Sequence, residues 1–198
     1  MSKKLNLWLG ALVVITSLTA CSDEITSTSV EETKATSEVS NRPSVSDLGV
    51  GTITATTPFN IHDITVMYPN YSVVEELNFQ EGEQYPIISV SKGANTLFTV
   101  NPTLDLKSIY SIVVEDNQIN NSLSHRLGTL FSDIFIEDNK VFNCQAGTEQ
   151  MSGKVLCLAP NATKLLYQFS GTWSGPDTQL PPPEVLRSWA LETIIWKP

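Results

Sequence analysis

Histidine is almost missing from this 198-residue chain: His62 and His125 are its two, so near-neutral acid–base chemistry has few carriers. Basic residues are scarce as well. Twelve Lys and Arg stand against 21 Asp and Glu, a formal net charge of −9, which argues against nucleic acid as a partner and against electrostatic docking on anionic headgroups. Cysteine is limited to three. Cys144 and Cys157 have no histidine near them in sequence, so neither a structural zinc site nor any other metal or cofactor site is expected. The acidic clusters Glu75-Glu76, Glu81-Gly82-Glu83 and Glu137-Asp138 lack the Asp-x-Asp-x-Asp-Gly pattern of a calcium loop and read as solvated edges and turns. No internal repeat is visible, and the apolar run Leu5 to Ser17 is shorter than the ~20 residues of a membrane-spanning helix.

That short run has another reading. Lys3 and Lys4 precede it and Leu18-Thr19-Ala20-Cys21 follows, the order of a cleavable export signal. The small residues lead directly into a cysteine, which resembles the lipobox of bacterial lipoproteins. The resemblance implies a diacylglyceryl group on the Cys21 thiol, removal of residues 1–20, and an acyl chain on the new amino terminus. Each buried methylene contributes ~0.8 kcal/mol, so this covalent lipid would hold the protein on a membrane by itself. Ser22 at the second mature position resembles the sorting signal for the outer membrane. Loss of residues 1–20 removes two lysines and no acids, leaving ten basic against 21 acidic residues, a net charge of −11. With Cys21 lipidated, Cys144 and Cys157 remain in an oxidising compartment and are expected to be joined, closing a loop of about 14 residues worth roughly 3 kcal/mol.

From Ser22 to Ser46, eleven of twenty-five residues are Ser or Thr and none is aromatic. Residues 21–46 are therefore expected to be a lipidated, disordered tether, reaching about 25 to 30 Å as a flexible coil. Residues 47–198 suffice for one domain with a real core. Gly49 to Thr56 alternates and predicts a first strand. Thr57-Pro58 predicts a cap and first helical residue, with Ile61, Ile64 and Met67 at helical spacing. Strands are expected at Tyr71 to Phe79 and Ser108 to Val114, and a hairpin from Ile87 to Val90 and Leu97 to Val100 across Lys92-Gly93-Ala94-Asn95. A second short helix is predicted over Leu127 to Phe135 behind a Thr129 cap. Val141 to Gln145 and Lys154 to Leu158 read as a disulfide-linked strand pair. Leu165, Tyr167, Phe169, Gly171 and Trp173 share one parity, a strand with an aromatic inner face. A proline-opened helix then runs to Trp189, and Thr193 to Trp196 closes the chain as a strand. The expected fold is mainly β: a two-layer, sandwich-like domain of about eight strands with two or three short helices.

Catalytic patterns fail on context. Ser89-Val90-Ser91-Lys92 matches S-x-x-K, but that chemistry needs the serine at a helix start, and here the pair falls on opposite faces of a strand. Gly171-Thr172-Trp173-Ser174-Gly175 has the wrong spacing for a hydrolase elbow. His62 and His125 read as surface residues. A carboxylate pair for glycoside cleavage, remote in sequence, stays open. The aromatics Tyr167, Phe169, Trp173, Trp189 and Trp196 read either as a core layer or as a cleft for a glycan or acyl chain, with Trp173 and Trp189 as its contact residues.

The segment Tyr167 to Pro176, then Leu186 to Trp189 and Thr193 to Lys197, resembles the proteobacterial RpoE-regulated lipoproteins, a family built around a domain of unknown function. Gly49 to Pro58, Gly128 to Asp133 and the Cys144 and Cys157 pair fit the same pattern. The resemblance implies an outer-membrane lipoprotein controlled by the envelope-stress sigma factor, with a β-rich domain facing the periplasm, and it carries over no catalytic or binding residues. Three functions are therefore weighed: a non-enzymatic component that binds an envelope protein or polymer, a lipid- or glycan-binding module, and an envelope hydrolase.

Overall fold

A computed structural model describes residues 42–80, 82–136 and 143–198. The expected signal segment, Cys21 and the tether as far as residue 41 lie outside the described residues, as do Glu81 and the Glu137-Asp138 cluster. Twelve strands and three short α-helices are described, in a mainly β, sandwich-like arrangement of two sheets. The first strand, β1 (Ser44–Ser46), opens within the stretch assigned to the tether, and Val45 in it is fully buried.

The single strand expected over Gly49 to Thr56 is instead a tight hairpin, β2 (Gly49–Val50) and β3 (Ile53–Thr54). Gly51, at φ +58, makes the turn, and a Cβ there would lie 2.4 Å from the Tyr68 hydroxyl. Helix α1 (Ile61–Met67) starts later than Thr57-Pro58 predicts. Asn60 is its cap, its side chain accepting from the His62 and Asp63 amides, while the Thr57 hydroxyl accepts from Thr54. Pro58 forms a bridge to Ser108.

The large sheet is antiparallel throughout. Its order is β4 (Ser72–Gln80), β5 (Glu83–Lys92), β6 (Asn95–Pro102), β7 (Ile109–Val114), β12 (Ala190–Trp196), β11 (Leu165–Ser170), β10 (Val155–Leu158) and β9 (Cys144–Ala146). The strands expected at Tyr71 to Phe79, Ser108 to Val114, Lys154 to Leu158 and Thr193 to Trp196 and the hairpin are found, with β5 and β6 longer than the apolar cores that announced them; β11 stops at Ser170, short of Trp173, and β9 is described from Cys144, residues 141 and 142 of its expected strand lying outside the described residues. The small sheet adds β8 (Asn120–Asn121), two residues too polar to read as a strand, pairing in parallel with β1. Helix α2 (Phe131–Ile134) is shorter than predicted, and Leu130, not Thr129, is its cap. Helix α3 (Pro183–Leu186) ends three residues before Trp189.

One face of the large sheet builds the core. Leu165, Tyr167 and Phe169 of β11 stand opposite Trp196, Ile194 and Leu191 of β12, with a bulge at Gln168/Phe169 that keeps the apolar residues in phase. Val155 and Cys157 pair with Phe169 and Tyr167, and Ile112 and Val114 pair with Trp196 and Ile194. Val45, Val50, Ile53, Ile64 and Tyr68 enter the same core from the small sheet and α1. Polar clamps fix this second layer. The Tyr68 hydroxyl donates to Val50 O at 2.6 Å, Trp196 Nε1 donates to Asp47 O, and the Asp47 carboxylate accepts from the Thr163 amide and hydroxyl and the Lys164 amide. Cys144 and Cys157, directly opposite in register, are joined by a disulfide.

Candidate functional site

The three C-terminal tryptophans have different surroundings. Trp196 is fully buried and belongs to the core. Trp189 is 2% exposed; its carbonyl accepts from the Phe131 amide, which fixes the chain between α3 and β12. Trp173 is half-buried and lies beyond the end of β11 at Ser170, so strand parity no longer governs it. Two glycines seat these rings. A Cβ on Gly171 would come within 2.2 Å of Trp189 Cδ1, and one on Gly175 within 2.1 Å of Trp173 Cζ2. The spacing Gly-x-Trp-x-Gly, which is no hydrolase elbow, is therefore a packing device for indoles.

Trp173 and Trp189 meet at one cleft of about 250 Å³, where β10 begins and β11 ends. Its remaining walls are Gly153, Lys154, Gly171, Thr172, Asp177, Gln179 and Pro181. The predicted contact residues are thus brought together, and Trp196 is not part of the site. Lys154, Thr172, Asp177 and Gln179 were not singled out from the sequence. The signal for the loop members was present, since an aromatic followed by polar residues between Gly175-Pro176 and the Pro181 to Pro183 run is a loop built to present side chains.

Charge at the cleft is held in place from behind. Lys154 Nζ lies 2.6 Å from Glu192 Oε2, which also accepts from Gln168 Nε2 at 3.0 Å. Burial, and then the charge of Glu192, push the Glu115 carboxyl above the ordinary carboxylate range. Asp177 Oδ2 accepts from the Ser152 hydroxyl at 3.2 Å. Trp189 Nε1 is buried without a hydrogen-bond partner among the described residues. The arrangement offers an aromatic ring, one cation, one carboxylate and amide and hydroxyl groups around a small space. No aliphatic side chain other than the Pro181 ring lines it.

The residues tested for catalysis lie elsewhere. His62 is exposed on the first turn of α1. His125, expected at the surface, is half-buried, its Nδ1 2.9 Å from the Tyr167 hydroxyl, which accepts from Asn121 Nδ2 at 2.7 Å. Burial lowers the His125 pKa from its ordinary 6.5 and pushes the Tyr167 phenol up to about 12. Ser89 is buried in the middle of β5 and Lys92 is exposed at its end, so the S-x-x-K match has no helix to act from. Among the described residues no group of three or more His, Cys, Asp or Glu is placed to hold a metal ion, and no helix is long and apolar enough to cross a membrane.

The chain is 32% identical over 155 residues to the uncharacterized protein YfeY of Escherichia coli (strain K12), covering 77% of this chain and 78% of the relative. It also matches the crystal structure of the uncharacterized protein YfeY from Escherichia coli, with a TM-score of 0.65 and 30% identity over 78% of this chain and 99% of the solved one. A family model described as a protein of unknown function, DUF1131, matches residues 28–198, and the chain belongs to that family.

Proposed function

We propose that this protein is a non-enzymatic, lipid-anchored envelope component whose domain faces the periplasm and binds a saccharide unit of an envelope polymer in the Trp173/Trp189 cleft. The observation that carries this reading is the half-buried Trp173, seated on Gly175 beside Lys154, Asp177 and Gln179. A pyranose ring presents an apolar face bounded by hydroxyls, which suits one indole face surrounded by donors and acceptors. The volume of about 250 Å³ is below the roughly 300–1,000 Å³ of sites that enclose a drug-sized ligand. It suits one sugar unit of a longer polymer. An acyl chain needs a continuous aliphatic lining, which this cleft does not have.

The remaining parts of the reading rest on the sequence. The Leu18 to Cys21 segment supports lipidation at Cys21, Ser22 supports delivery to the outer membrane, and the resemblance noted above supports control by the envelope-stress sigma factor. Radioactive fatty acid is expected to label the wild-type protein and not Cys21→Ser; equal labelling of the two would overturn the anchor. Incubation with purified cell-wall glycan is expected to release no new reducing ends, and release above the level of a heat-denatured control would make the protein a hydrolase instead.

A further inference from the structure

Strand β4 forms one edge of the large sheet, and its nine residues pair with β5 without a register shift. Strand β6 joins β5 only from Ile88 onward, so Glu76 to Gln80 and Glu83 to Ile87 project beyond it as a two-stranded arm. The arm exposes apolar side chains: Leu77 is 64% and Phe79 57% exposed, and Val74 beside them 46%. Edge strands are ordinarily protected by lysine, proline, a bulge or shortness. β4 has none of these, its protection being limited to the charges of Glu75 and Glu76 and to Gln150 on the Phe79 carbonyl, whereas the opposite edge, β9, is three residues long and covalently tied to its neighbour.

Main-chain polarity of the edge follows from Phe79. Its amide donates to Asn78 Oδ1 and its carbonyl accepts from Gln150 Nε2, so both groups point away from β5. Alternation in an antiparallel ladder then turns the N–H and C=O groups of Val73, Glu75 and Leu77 outward as well. Neither the other sheet nor any loop among the described residues takes them.

We propose that this edge accepts an extended strand from another protein, one that alternates apolar with basic side chains. From Ser72 to Lys92 the hairpin carries Glu75, Glu76, Glu81 and Glu83, and its one cation, Lys92, is the last residue of β5, at the end away from the arm. An incoming alternating strand therefore gains by placing its cations on the face of Glu76 and its apolar groups on the opposite face, beside Leu77 and Phe79. A second copy of this chain is disfavoured, because edge-to-edge pairing would set these glutamates against an equally acidic strand.

The test is amide hydrogen exchange on the full chain, read by NMR, with a synthetic nonapeptide alternating valine and lysine as the probe and a valine–glutamate nonapeptide as its control. The lysine peptide is expected to slow exchange at Val73, Glu75 and Leu77 by at least about tenfold, since their amides become ladder donors. The glutamate peptide leaves them unchanged. Leu77→Pro removes one outward donor and is expected to abolish the effect, and Glu75→Lys with Glu76→Lys is expected to exchange the preference between peptides. Trp173→Ala leaves all of this intact, which separates the edge from the cleft. Unchanged exchange with the lysine peptide overturns the proposal, as does a charge-swapped edge that still prefers lysine. Protection that appears without peptide and grows with protein concentration also overturns it, in favour of a second copy.

Discussion

Gly171 shows how one atom sets the candidate site. A methyl group there would meet Cδ1, Cγ and Nε1 of Trp189 at 2.2 to 2.4 Å, so that ring, 2% exposed, must shift to admit it. Gly171→Ala is expected to lower stability by about 1–3 kcal/mol in urea unfolding, through overpacking. Gly93→Ala, with nothing within 4 Å but φ at +63, is expected to cost about 1–2 kcal/mol, from backbone strain alone. At His125 burial places the folded pKa below the ordinary 6.5, so the unfolded chain binds the proton more readily. Its contribution is complete at neutral pH and is lost as pH falls below 6.5. Thermal melts from about pH 7 down to about pH 5 are expected to fall more steeply for the wild type than for His125→Asn. Tyr68 and Tyr167 give the opposite limb. Burial pushes both phenols up from 10 to about 12, so the stability they contribute is present below pH 10 and lost as pH rises through 12.

Among the elements, the second layer depends on contacts no local pattern announces. Asp47 follows β1 and accepts three hydrogen bonds from Thr163 and Lys164, more than a hundred residues away. Burial raises its pKa, but the bonds from the Lys164 and Thr163 amides and the Thr163 hydroxyl outweigh that and leave it below the ordinary range. Asp47→Ala is expected to destabilise the domain by about 1–2 kcal/mol, because the charged acceptor of two amides is removed. The urea midpoint measures it, and the loss should shrink as pH falls and the wild-type carboxylate takes a proton. Parity made β11 legible through Leu165, Tyr167 and Phe169, and β-branched residues announced β7 through Ile109, Ile112, Val113 and Val114. What neither could reveal was pairing set by distant partners. β8 is Asn-Asn and exists because β1 lies beside it, and α1 starts at Asn60 because Pro58 is committed to a bridge with Ser108. Trp173 and Trp189 were legible as candidates from aromatic clustering. Lys154 was not, because only the antiparallel pairing of β10 with β11 brings it to the same end of the sheet.

At the scale of the molecule, an acidic domain with a small aromatic and polar cleft is proposed to hang from a lipidated Cys21 and to read sugars instead of lipid. Calorimetric titration with saccharides released from the cell-wall glycan by enzymatic digestion tests that claim most directly. Saturable binding is expected for the wild-type protein and is expected to weaken at least about tenfold in Trp173→Ala, roughly the loss of one stacking contact of 1.4 kcal/mol or more, measured at a temperature where the variant is still folded by circular dichroism. Binding that is equally strong in Trp173→Ala, or absent for the wild type across the whole digest, would contradict it.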